Sequence, residues 1–332
     1  MDTLKKKTSR SDKILEIVMN NKAIFIALVI ALFFSLAAPK FLVSRNLLNV
    51  LRQVCVSSIV SAGITLVLGS GNMDLSVGHM LGLIGIIMAK MLVKDIPVPL
   101  AILIGVAAGA FCGFLNAFLI EAFKLPPFIV TIASSSLFLG AGYLITNMVP
   151  VSGLPKSFVN IGQGYFFGIP IPVYIMIAVI AVMAVLTNKT AFGRHAIAMG
   201  GNLEATRVSG IDVVKTRFFV YIAMGICCAL AAVVMTARSA SAQVTAGDGM
   251  EMDAITAVVI GGTSLMGGNA NIVGTLFGCI IVGMLNNGLN LMGVNSSWQV
   301  IVKGMMCLLA LVLDSSSTIF YEKLRNKKAK RE

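Results

Sequence analysis

The stretch Asn188–Arg217, NKTAFGRHAIAMGGNLEATRVSGIDVVKTR, is the longest polar interruption in an otherwise apolar sequence. It carries Lys189, Arg194, Arg207, Lys215 and Arg217 against Glu204 and Asp212, and apolar segments flank it at Ile169–Leu186 and Phe218–Thr236. A basic connection held between two membrane spans belongs on the cytoplasmic side. It also reads as folded. Glu204 to Ser209 contains good helix formers, and Gly210 follows where a helix would stop. A short helix on the inner face of a membrane implies something that docks there, so a cytoplasmic partner is expected.

Composition agrees with a bilayer setting. The chain has 332 residues, of which 57% are hydrophobic and 12% charged, whereas a soluble domain carries about 25% charged residues. The fold class this implies is an all-α polytopic membrane protein. The formal net charge of +12 sits in the two tails and the central loop, which is the positive-inside pattern. No basic stripe is interleaved with aromatics, so no nucleic-acid partner is expected. The cysteines Cys55, Cys112, Cys227, Cys228, Cys279 and Cys307 all lie in apolar runs without a Cys-x-x-Cys pair. They read as small buried hydrophobes rather than a disulfide or metal framework. His79 and His195 make no ligand motif, so no metal and no cofactor is expected.

Working outward, residues 1–23 read as a basic cytoplasmic tail, 24–314 as one membrane domain with 188–217 as its inner loop, and 315–332 as a second basic cytoplasmic tail. Ile24–Ala38 reads as a retained first span, because Pro39 and Lys40 make a poor cleavage site. Further apolar runs follow at Leu47–Leu68, His79–Val93, Val98–Ile120, Pro127–Met148, Ile169–Leu186, Phe218–Thr236, Asp253–Leu265, Asn271–Met292 and Trp298–Leu313. That makes about ten spans, some short or broken, against the roughly 20 residues a crossing needs. An even number with the N-terminus inside puts both termini and the basic loop in the cytoplasm. A faint repeat relates Gly113-Phe114-Leu115-Asn116 to Gly283-Met284-Leu285-Asn286, and Met73-Asp74 to Met252-Asp253. The corresponding helices run in opposite directions by this count, which is the pattern of an inverted-topology repeat with a pathway between the halves.

The polar groups inside the apolar regions are candidates for that pathway. Asp74 and Ser76 lie in the glycine-rich break Gly69–Gly78, which reads either as a broken helix lining a path or as a cytoplasmic turn whose Asp74 caps the next helix. Asn116, Asn286, Asn287 and Asn290 are membrane-depth amides suited to solute hydroxyls or to helix–helix hydrogen bonds. Lys303 would snorkel, pair with a carboxylate or line the path. The glycines of Gly261–Asn269 lack the Gly-Lys-Ser/Thr ending of a P-loop and a βαβ context, so they read as tight packing or a turn. No nucleophile–base or carboxylate pair stands out, and no catalytic residue is expected.

Several stretches together resemble one family. Asn72-Met73-Asp74-Leu75-Ser76-Val77-Gly78 resembles the Gly-Ile-Asp-Leu-Ser-Val-Gly signature of permease subunits in bacterial ABC importers for sugars. Met199 through Ile211 resembles their cytoplasmic loop. Glu251 through Leu265 and Leu285 through Leu291 resemble their late blocks. The similarity runs from about the second span to the last and is nearest to the ribose-type branch of monosaccharide permeases. Asn72 and His79 depart from the pattern, the latter replacing a small polar residue. The resemblance implies a multi-pass protein of the bacterial cytoplasmic membrane that is not itself an enzyme. It also implies a second permease copy, a separate cytoplasmic ABC ATPase and a periplasmic or lipid-anchored sugar-binding protein. Glu204, Ala205, Thr206, Arg207 and Gly210 match the ATPase-coupling region of the loop. The expected activity is uptake of a monosaccharide, ribose first, by alternating access. The alternatives are an ion-coupled secondary transporter with Asp74 as its coupling carboxylate, and a non-transporting membrane scaffold.

Overall fold

The computed structural model describes residues 22–329, with side chains placed within residues 26–312. Most of the expected N-terminal tail, residues 1–21, lies outside the described residues, and of the C-terminal tail only backbone as far as residue 329 is described. The helices are α1 Lys22–Ala37, α2 Ser44–Gly69, α3 Val77–Leu92, α4 Val98–Phe123, α5 Pro127–Thr146, α6 Lys156–Gln163, α7 Ile171–Lys189, α8 Ala191–Gly201, α9 Leu203–Val208, α10 Val213–Ser239, α11 Met250–Ile260, α12 Ile272–Leu291 and α13 Ser296–Ala329. Two small antiparallel ladders pair β1 Val151–Ser152 with β4 Ser241–Ala242, and β2 Tyr165–Phe166 with β3 Ile169–Pro170.

Helix is what this composition allows in lipid, because every backbone donor and acceptor must be satisfied within the segment. Proline opens α4, α5 and α7 within their first two positions, where its missing N–H costs nothing. Among the described residues, six helices, α2, α4, α5, α7, α10 and α12, are long and apolar enough to cross a membrane. Helices α2 and α10 form the centre and are buried along most of their length. Helices α4, α5 and α7 turn apolar side chains outward, among them Leu103, Phe111, Leu137, Leu144 and Val182, as lipid-facing helices do.

Two of the spans expected to be short follow a break in the chain. Helix α3 has 16 residues and α11 has 11. At 1.5 Å per residue they are about 24 and 16 Å long, short of a hydrocarbon core of about 30 Å. Each follows an irregular stretch, residues 70–76 before α3 and 240–249 before α11.

Small residues set the packing. Gly109 and Gly113 of α4 lie against the backbone at Gly225 and Tyr221 of α10, so closely that a Cβ would meet carbonyl oxygen. Because the first number rises as the second falls, α4 and α10 are antiparallel. Gly63 against Met224 and Cys227 places α2 antiparallel to α10 as well. Helix α12 packs on α2 through the Thr65–Thr275 hydroxyl pair at 2.8 Å and through Gly283 against Val54. Thus α4 leans on α10 while α12 leans on α2, and α2 and α4 run antiparallel to α10 and α12 respectively.

Candidate functional site

The first break is built by local hydrogen bonds. Helix α2 stops where Gly71 turns to φ +72° and the Asn72 N–H returns to the Val67 carbonyl, a left-handed helix end that glycine permits. Three residues after Gly71, Asp74 Oδ1 accepts from the Ser76 N–H at 2.8 Å and from the Ser76 hydroxyl at 2.6 Å. This Asx turn aims the chain into the first turn of α3. Asn116 Nδ2 on α4 donates to Ser76 Oγ at 2.9 Å, and the Tyr221 hydroxyl on α10 donates to the Met73 carbonyl at 2.9 Å.

Asp74, Ser76 and Asn116 are all fully buried, and Asp74 shapes the turn through Ser76, the N-cap residue of α3, rather than capping the helix itself. The structure brings these three residues together in one cluster. Asp74 Oδ2 and Asn116 Oδ1 have no hydrogen-bond partner. Val77 lies beside Cys228, about 22 Å along α10 from its first residue at 1.5 Å per residue. The break therefore sits in the interior of the bundle, not at its rim.

The second break comes down to the same level. Loop 240–249 runs alongside α3, with Val244 beside Gly82 and Gly247 against Gly78, backbone on backbone. A side chain at either glycine would separate the two breaks. His79 bridges three elements here. Its Nδ1 lies 2.7 Å from Ser135 Oγ of α5 and its Nε2 lies 3.0 Å from Asp248 Oδ1. Glu251 of α11 reaches the same place, close to Gly78. Sequence reasoning missed this cluster because its members are far apart in the chain and share no motif.

The remaining predicted site residues are dispersed. Asn286 Nδ2 lies 3.5 Å from Asp253 Oδ2, which pairs with Lys303 Nζ at 2.9 Å. Lys303 thus ties α13 to α11. Asn287 and Asn46 exchange two amide hydrogen bonds at 2.8 and 2.9 Å, locking α12 to α2. Asn290 accepts from Gln299 Nε2 at 2.9 Å near the α12–α13 turn. In each half, the asparagine of the short repeat lies beside the acidic cluster of its own half: Asn116 at Ser76 and Asp74, Asn286 at Asp253.

The basic loop folds as two helices. Helix α9 matches the expected Glu204–Ser209 element to within a residue at each end. Asn202 caps it by accepting from the Ala205 N–H at 2.9 Å, and Gly210 ends it at φ +81°. Glu204 and Arg207 form an exposed ion pair at 2.9 Å, Ala205 is exposed, and Thr206 is buried with its hydroxyl on the Asn202 carbonyl. Val208 is 86% exposed. At the start of α10, the Lys215 backbone N–H and then its ammonium hold the Asp212 carboxyl below the usual carboxylate range. Helix α8 was not expected, because Gly193, Gly200 and Gly201 argue against helix. Packing overrides propensity there. Gly200 fits where three backbones meet, against Gly69, Gly71, Gly267 and Gly268, and the Gly268 N–H donates to the Gly69 carbonyl at 3.0 Å.

The Gly261–Asn269 turn belongs to that junction. The N–H groups of Gly261, Gly262, Thr263, Gly267 and Gly268 already donate to protein carbonyls, which leaves them unavailable to cradle a phosphate. At the opposite end of the bundle, Arg45, Arg52 and Arg238 line a cavity of about 660 Å³ together with Gln53, Gln163 and Tyr165. Arg52 donates to the Gln163 carbonyl at 3.0 Å and stands 4.6 Å over the Tyr165 ring. Among the described residues, no acidic side chain lines this cavity.

Comparisons with known proteins bear on what this arrangement serves. The family model described as branched-chain amino acid transport system / permease component matches residues 46–311. The ribose import permease protein RbsC of Bacillus subtilis (strain 168) is 42% identical over 300 residues, covering 90% of this chain and 93% of that protein. RbsC of Escherichia coli (strain K12) is 40% identical over 302 residues, covering 90% and 94%. The D-allose transport system permease protein AlsC of the same strain is 36% identical over 290 residues, covering 87% and 89%. No solved structure is significantly similar to the chain.

Proposed function

This chain belongs to the branched-chain amino acid transport system / permease component family, and we propose that it moves ribose inward across the membrane by alternating access, driven by ATP hydrolysed on a separate subunit. It is a permease component of an ABC importer and a multi-pass protein of the bacterial inner membrane. Ribose is favoured because relatives at 40% identity or more are named for ribose import and cover nearly the whole chain. The D-allose relative is more distant.

The observation that carries the mechanism is the route from α9 to the two breaks. Helix α9 presents Glu204, Ala205, Arg207 and Val208 outward, a small mixed surface suited to the ATPase. One residue before its cap, α8 ends in the glycine junction that holds the end of α2 and the turn after α11. Movement of α9 on ATP binding is thereby passed to the roots of both breaks. In this reading the basic loop and both termini lie inside, about ten segments enter the bilayer, α3 and α11 only in part, and the two antiparallel halves form an inverted repeat. A second copy of the chain completes the pathway. Asp74, Ser76 and Asn116 keep the first break in shape, and Asn286, Asn287 and Asn290 hold the second half together. The arginine-lined cavity faces outward and receives acidic side chains of the sugar-binding protein.

The test is reconstitution in proteoliposomes. Ribose uptake is expected only when this chain, its ATPase, its binding protein and ATP are all present. Uptake by the chain alone, driven by a proton or sodium gradient, would overturn the reading in favour of ion-coupled transport through Asp74.

A further inference from the structure

Ionisable groups at membrane depth are costly unless they face protein, one another or water. Asp74 meets that condition by complete burial. His79 and Asp248 do not, for their side chains are 25% and 55% exposed. They sit where the two breaks meet, level with the interior of α10. Glu251 is partly exposed beside them. Asp248 also lines a cavity of about 570 Å³ between α11 and α13, whose polar lining includes Asp253, Lys303 and Thr256. Facing lipid, these carboxylates would stand in hydrocarbon. This side of the molecule therefore borders water or a second protein surface.

We infer that His79, Ser135, Asp248 and Glu251 form the contact station for the solute inside the pathway, recognising a neutral polyol through pairs of adjacent hydroxyls. The inference rests on the proposed import function. A carboxylate presents two acceptor oxygens and takes hydrogen bonds from two neighbouring hydroxyls, while the imidazole and the serine hydroxyl add acceptors and donors. Three of its members are paired when it is empty, because His79 already holds Asp248 on one nitrogen and Ser135 on the other. An arriving hydroxyl exchanges one hydrogen bond for another, so the net gain stays at about tenfold in affinity. That suits a point the solute must leave. The station also links three elements that meet at the breaks, α3, α5 and loop 240–249, so a change in break geometry opens it.

The experiment uses the complete assembly in proteoliposomes, with the same ATPase and binding protein throughout and solute saturating the binding protein. Uptake of ribose is compared with uptake of 2-deoxyribose for the parent and for Asp248→Asn, His79→Ser and Ser135→Ala. Asp248→Asn is expected to lower ribose uptake about tenfold and to narrow the preference for ribose over the deoxy sugar, since a lost hydrogen bond to a charged acceptor is of that order. Ser135→Ala, the mildest change to packing, is expected to shift the preference in the same direction by less. Binding-protein affinity and ATPase association should stay at parent values. A preference unchanged in all three variants overturns the station even if rates fall, because a structural role slows both sugars alike. Loss of self-association in Asp248→Asn or His79→Ser also overturns it, by making this face a contact between copies. An assembly whose parent form imports neither sugar fails the import reading itself, a different result from an active parent with unaltered preference.

Discussion

At the scale of single residues, the bundle keeps its interior charges by pairing or by enclosing them. Asp253 and Lys303 meet at 2.9 Å with Asn286 nearby, and both retain some exposure, 19% and 37%. Removing one partner strands the other. Lys303→Ala is expected to cost about 1–3 kcal/mol, less than a fully buried pair because water still reaches it. Asp253→Ala combined with Lys303→Ala should cost less than the sum of the two single changes. Thermal unfolding followed by thiol labelling measures this directly, since Cys55, Cys112, Cys227, Cys228 and Cys279 are buried and free. A strictly additive double variant would mean that the pair contributes nothing. The pairing itself was only one of three readings open from the sequence. Lys303 and Asp253 lie fifty residues apart, and nothing in their local patterns links them.

At the scale of elements, helix α9 and the glycine junction are the parts on which the proposed coupling depends. Asn202→Ala removes the cap of a six-residue helix, a loss of about 1 kcal/mol. Gly210→Ala forces a side chain into φ +81°, at a further cost of about 1–2 kcal/mol. Both substitutions fall on exposed positions, so the bundle should keep its unfolding midpoint while ATPase association weakens. Co-purification with the ATPase reads the effect, and unchanged association would separate α9 from the docking surface. Gly200→Leu tests the next link. Its side chain has no room against Gly69 and Gly268, so ATP hydrolysis is expected to continue while sugar uptake falls at least several-fold. Helix α9 was legible in advance because cap, helix formers and terminal glycine are adjacent in sequence. Helix α8 was not, because Gly200 and Gly201 are there for a backbone contact with distant segments, Gly200 with the end of α2 and both with the turn after α11.

At the scale of the whole molecule, the proposed mechanism turns on the orientation and on the two-halved plan. A cysteine placed at Val208 is expected to react with an impermeant thiol reagent only in inside-out vesicles. Labelling from outside intact cells would reverse the topology and remove α9 from any cytoplasmic partner. The amino-acid sequence by itself determined the class. Long apolar runs leave the backbone no option but helix in lipid, basic residues gather in the loop and tails, and the break motifs point to the permease family. Local chemistry sufficed for these because each is a property of a window of residues. Only the tertiary structure decided that the breaks before the two short runs, His79–Val93 and Asp253–Leu265, come together in the interior of the bundle. It alone enclosed Asp74 with Ser76 and Asn116, and it alone set His79 against Ser135 and Asp248. Those outcomes depend on glycine contacts and hydrogen bonds between segments as many as 169 residues apart, where hydropathy records only that a segment is apolar, not what it meets.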